Sequence, residues 1–180
     1  MQSSNSPLLA ILGHVPLWVW AILALLLALG LKQSRDQHLP RARLALLPMI
    51  WLAYGVWGVH SAFGASAHTL LAWALALIVS LKLMRELGAP AGSRFDSASQ
   101  QFFVPGSWLP LAVMLSLFCA KFALGLSLAL RPELAANSVV AMGFSALFGA
   151  LSGCLLGRAR NILGLQRLSS GQATLTPAPL

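Results

Sequence analysis

Lys121 is the residue whose type and place most demand a chemical account. It lies inside an otherwise uncharged run at 108–130. Counted from Trp108, it sits about 20 Å along a helix rising about 1.5 Å per residue. That is past the middle of a hydrocarbon core about 30 Å thick. An ammonium facing lipid there is costly. None of the long apolar runs carries Asp or Glu, so no carboxylate in them can neutralise it. Three outcomes stay open. The stem snorkels to the headgroups; the amine sits neutral among hydroxyls and carbonyls; or it faces a wet pocket and binds an anion, such as a lipid phosphate or a carboxylate.

Tyr54 is a candidate partner. Trp51, Tyr54 and Trp57 recur at spacing three, beside Gly55 and Gly58. Aromatics at that spacing usually pack, but a buried tyrosine hydroxyl needs a hydrogen-bond partner, and Lys121 would serve. His14, His60 and His68 fall at the ends of three apolar runs and are expected together at the outer interface. Imidazoles there could titrate near neutral pH or bind metal. Equally, histidine is an ordinary amphipathic interfacial residue. No His pair has i, i+4 spacing and no carboxylate stands beside them, so no metal site is expected. Cys119 and Cys154 lie inside apolar runs and read as small hydrophobic filler. No Cys-x-x-Cys is present, and no two His share a mid-membrane depth for haem. The acids Asp36, Glu86, Asp96 and Glu133 are scattered over loops, with no triad, carboxylate pair or phosphate loop. The chain is expected not to be an enzyme and to need no cofactor.

Composition says what holds these residues. Of 180 residues 58% are hydrophobic and 9% charged, with mean hydropathy +0.78. Soluble domains carry about 25% charged residues, so this chain could not cover a globule with polar surface. Twelve Lys+Arg against four Asp+Glu give a formal net charge of +8. The bases lie in short segments between apolar runs, which is a membrane pattern. No basic stripe or reading motif points to nucleic acid.

The runs predict an all-α bundle of about five transmembrane helices, at 8–31, 44–63, 68–84, 108–130 and 138–157. These form one span followed by two helical hairpins, each hairpin beginning near a Leu-Pro pair, Leu47-Pro48 and Leu109-Pro110. The opening MQSSNSP lacks the basic segment of a cleaved signal peptide, so the first run is expected to stay as a span. Residues 161–180 read as a disordered cytoplasmic tail. One side of the bundle receives Lys32, Arg35, Arg41, Arg43, Lys82, Arg85, Arg94, Arg158, Arg160 and Arg167, and the other receives Arg131. That predicts an external N-terminus and a cytoplasmic C-terminus. Ser145, Gly149, Gly153 and Gly157 repeat every fourth residue, a doubled G-x-x-x-G that lets helix backbones approach. Its partner, within the chain or on a second protomer, is open. Phe102 to Trp108 would be a lid or an aromatic belt.

Four features together carry a resemblance: His14-Val15-Pro16-Leu17-Trp18-Val19-Trp20; Pro105-Gly106-Ser107-Trp108-Leu109-Pro110; Lys121; and Gly149-x-x-x-Gly153-x-x-x-Gly157-Arg158. To about Arg160 the chain resembles an uncharacterised family of small proteobacterial multi-span membrane proteins, a domain of unknown function. Val15 departs from the threonine expected there. The resemblance implies a bacterial inner-membrane setting and no particular activity.

Two functions remain. In the first, the chain binds or transports a small anionic or amphipathic molecule, such as an anionic lipid, at Lys121, with Tyr54, His14, His60 and His68 lining the approach. In the second, it is a non-catalytic structural or assembly subunit, homo-oligomeric or bound to another membrane protein. An inward Lys121 beside a cavity separates the first from the second.

Overall fold

The structure, a computed structural model, describes residues 16–64 and 66–173. Among the described residues the apolar runs fold into five α-helices: α1 (Leu17–Gln33), α2 (Arg41–Phe63), α3 (Ala67–Leu87), α4 (Leu109–Leu130) and α5 (Ser138–Ala173). A short 3-10 turn, Pro132–Ala136, joins α4 to α5. Four of them, α2, α3, α4 and the Ser138–Arg167 part of α5, are long and apolar enough to cross a membrane. α1 has 17 residues and is about 25 Å long, so it falls short of the other four. Of the about five spans expected, four are thus of membrane length among the described residues, and α1 is the short one. Residues 8–15 of the first expected span lie outside them.

Glycines end two of these helices. Gly64 (φ 71°) follows α2 and Gly88 (φ 73°) follows α3. Both combine a positive φ with ψ near 180°, at −172° and −169°, a region open essentially to glycine because a Cβ would clash there.

The all-α expectation needs a second correction. The two basic connections pair into a three-stranded antiparallel sheet, in the order β1 (Gln37–Pro40), β3 (Gln101–Val104), β2 (Arg94–Asp96). These strands are too short for period-two alternation to stand out, and the pairing joins segments far apart in sequence. On β3 the pleat turns Phe102 and Val104 inward, where they are buried with Leu44 of α2 and Ile162 of α5. Phe103 points outward instead. Its ring lies 5.3 Å from that of His38, and the Arg94 guanidinium carbon is 4.3 Å from its centroid. The 102–108 segment is therefore no single aromatic belt. Past it, Gly106 donates its N–H to Asp36 Oδ1 at 2.7 Å, and Ser107 donates to the Gln33 carbonyl at 3.1 Å. A Cβ on Gly106 would overlap the Ser34 carbonyl.

The expected disordered tail is corrected as well. α5 continues to Ala173, because residues beyond Gly157 have partners. Ile162 joins the core under the sheet. Asn161 Nδ2 donates to the Met84 and Gly88 carbonyls at 2.5 and 2.8 Å; the Met84 carbonyl also accepts from the Gly88 N–H, and the Gly88 carbonyl lies past the end of α3, where no further helical turn supplies a donor. Residues 174–180 lie outside the described ones.

α3 and α5 form the most extensive helix contact and run parallel. Gly149 faces Trp73, Gly153 faces Leu77 and Ser80, and Gly157 faces Met84. A Cβ on Gly149 would overlap the Trp73 carbonyl, and one on Gly153 would lie 2.8 Å from the Leu77 oxygen. The small-residue stripe thus meets a helix of the same chain. Ser80 Oγ crosses the seam to donate to the Ala150 carbonyl at 2.8 Å and lies 3.2 Å from Cys154 Sγ. α1 and α4 meet near Gly30 and Leu111, and α2 and α5 meet at Gly55 and Ser152. Successive helices alternate in direction, so the sheet and the ten bases from Lys32 to Arg167 gather at one end, with Arg131 at the other.

Candidate functional site

Lys121 lies on the face of α4 turned to α2 and α5. Its Nζ is 4.7 Å from the Phe148 ring centroid and 5.1 Å from that of Tyr54. Both are within the roughly 6 Å over which a cation is drawn to an aromatic face. The gap is left by Gly58, where a Cβ would overlap Nζ. Gly58 is five residues before the end of α2 at Phe63, so the amine is held about 7 Å short of that end. Among the described residues Nζ makes no hydrogen bond and no ion pair. The two ring faces offset only part of the cost of leaving water.

Tyr54 meets the lysine through its ring rather than the expected hydroxyl hydrogen bond. Its side chain stands at the edge of the bundle, 47% exposed. Edge-on to it stands Trp51, with ring centroids 6.0 Å apart and planes at 89°.

Beside the lysine is an apolar cleft of about 300 Å³ between α1, α2 and α4. Leu26, Trp51, Tyr54, Leu117 and Phe118 line it, and among the described residues Lys121 is its one charged residue. α1 makes the cleft by packing on α4 rather than on α2. Chemically this is a fixed cation set in an apolar wall. It can hold an anionic group and bury an attached hydrocarbon.

The histidines stand elsewhere. His60, in the last turn of α2, and His68, in the first turn of α3, are both exposed and do not line the cleft. His14 lies outside the described residues. No three His, Cys, Asp or Glu side chains gather into a metal-holding group among the described residues. Of the five residues expected around the ligand, the structure brings Lys121 and Tyr54 together. Sequence reasoning missed Phe148, because nothing in a sequence says which aromatic of α5 faces α4. It noted Gly58 beside the aromatics but not as the seat of the amine.

Polar groups also line the buried seam. Trp73 Nε1 and the Oγ atoms of Ser145 and Ser152 are buried and unpaired. Ser152 Oγ and Trp73 Nε1 both face the bare backbone of Gly55, at 2.8 and 3.5 Å from where its Cβ would stand.

Comparison with known proteins places this arrangement in a family. The description of a family of unknown function, DUF6622, matches residues 2–173. The chain belongs to that family. The family match thus includes α1 to α5, with Lys121, Gly58, Tyr54 and Phe148. An uncharacterized protein of Pasteurella multocida (strain Pm70) is 35% identical over 75 residues, covering 42% of this chain. The chain spans about half, 55%, of that relative. No solved structure matches the fold.

Proposed function

We propose that this DUF6622 protein is a non-catalytic bacterial inner-membrane protein that binds a small amphipathic anion. Lys121 is the contact for the anionic group, and the cleft between α1, α2 and α4 takes the apolar part. The observation that carries this reading is the Lys121 ammonium, unpaired by any acceptor among the described residues and set beside a cleft of about 300 Å³. Such a cation gains from an anion that arrives with its own hydrocarbon, because both are then removed from water together. The protein sits with the sheet and its ten bases in the cytoplasm, following the positive-inside rule. The competing reading, an assembly subunit docking through the Gly149–Gly153–Gly157 stripe, loses support because α3 of the same chain occupies that stripe.

The test is titration of the purified protein with decanoate and with decanol, followed by tryptophan fluorescence. Decanoate is expected to bind at least tenfold more tightly than decanol, the scale of one charge-assisted contact. Lys121→Met is expected to erase that preference and leave decanol binding unchanged. Equal binding of the two probes to the wild type would refute the assignment.

A further inference from the structure

We propose a second anion site at the opposite end of the bundle, beneath the sheet, that takes a phosphate-class oxyanion on Arg35, Arg43 and Arg158. Arg35 comes from the α1–β1 connection, Arg43 from the first turn of α2, and Arg158 from α5, one residue past Gly157. All three line one cavity of about 80 Å³, with Gln33 and Gln37 beside them.

Three observations point to an anion. First, the three guanidinium groups make no hydrogen bond and no ion pair among the described residues. Arg158 is half-buried, so its donors are partly withdrawn from water as well. Second, among the described residues no carboxylate lines the cavity. The nearest in sequence, Asp36, accepts from the Gly106 N–H at 2.7 Å. Three like charges around one cavity repel one another unless an anion joins them. Third, the planar guanidinium fork matches the oxygens of a phosphate, and the cavity is of the size for one small group.

The remaining lining is apolar, and Trp51 lines both this cavity and the Lys121 cleft. The two sites therefore lie at successive levels of one face of the bundle. They share no charged residue, so either stands without the other. The shared ligand chemistry is a phosphate mono- or diester, from either a lipid headgroup or a free solute. Basic pockets between membrane helices are fitted to lipid headgroups.

Arg41 and Arg160 supply the control. They belong to the same basic end but line a different, wider groove of about 540 Å³ on the other side of α2. General attraction to an anionic surface would draw on them equally.

The experiment measures binding of dioleoylphosphatidylglycerol and of glycerol phosphate to the detergent-purified full chain, by native mass spectrometry and calorimetry. Phosphatidylcholine is the neutral reference. Arg158→Gln and Arg43→Gln are each expected to weaken phosphate binding about tenfold, the scale of a lost hydrogen bond to a charged group. Arg41→Gln and Arg160→Gln are expected to change it less than about twofold, and Arg158→Lys to recover part of the loss. Loss of the lipid arm supports the site and identifies a headgroup; loss of the glycerol phosphate arm supports it and identifies a free solute. Equal loss in all four Gln variants, or none in either arm, overturns the proposal. Should Arg158→Gln fail to fold, the exposed Arg43 carries the same comparison. Lys121→Leu is expected to leave this binding intact, so failure here is distinct from failure at the cleft.

Discussion

The two flanks of α2 are built on opposite principles. On one side α3 and α5 close to backbone distance, with Gly149, Gly153 and Gly157 against Trp73, Leu77 and Met84. Polar atoms cross that seam, as Ser80 reaches the Ala150 carbonyl and Asn161 reaches those of Met84 and Gly88. On the other side α1 rests on α4 and leaves a cleft, with a lysine whose amine has ring faces but no acceptor. Close packing makes a rigid wall. Unspent charge beside unfilled space makes a binding surface. The lesson is that small residues and a cation, equally visible in sequence, mark opposite roles according to whether a neighbour fills the space beside them.

A graded set of single substitutions tests this contrast. Gly149→Ala is expected to have the largest effect, because the new Cβ meets the Trp73 carbonyl, which cannot move alone. A stability loss of about 3 kcal/mol is expected, read by thermal unfolding in detergent. Asn161→Ala comes next, at about 1–2 kcal/mol, since it strips a donor from two carbonyls at the end of α3; the amides after Gly88 should then exchange faster. At the cleft, Gly58→Ala meets the flexible tip of Lys121 rather than backbone. It is expected to cost under about 1 kcal/mol, while decanoate affinity shifts because the amine is displaced from its seat. A loss as large as that of Gly149→Ala would mean that the cleft is packed as rigidly as the seam. Gly125→Ala, with open space around the site, should raise stability by up to about 1 kcal/mol.

The smallest effect lies outside both flanks. The Ser99 hydroxyl and Ala98 N–H donate to Asp96 and hold its carboxyl below the usual value of 3.8. Its folded pKa is lowered, so its contribution is present above that value and is lost as pH falls through the lowered one. Amide exchange in the turn joining β2 to β3 should quicken only in that acid range, and Asp96→Asn should remove the dependence.

Some of this was legible in the sequence. Runs such as 68–84 and 108–130 read as helices because they hold no carboxylate over membrane length. Lys121 stood out by depth alone, and the Gly149–Gly153–Gly157 stripe by its spacing. The partners did not, since the surface that receives the stripe is Trp73, Leu77, Ser80 and Met84, which carries no matching pattern. The sheet was hidden because Gln37–Pro40 and Gln101–Val104 are four residues each and pair across two helices. The α5 extension was hidden because its polar composition suggested a tail, while Asn161 and Ile162 had tertiary partners that composition cannot show.

The most direct measurement is native mass spectrometry of the protein purified gently from its own membranes, beside Lys121→Leu. The wild type is expected to carry a small anionic amphiphile, and the variant, equally folded, to have lost it. Wild type and variant that are both bare, or that retain the same mass, would contradict Lys121 as the anion contact.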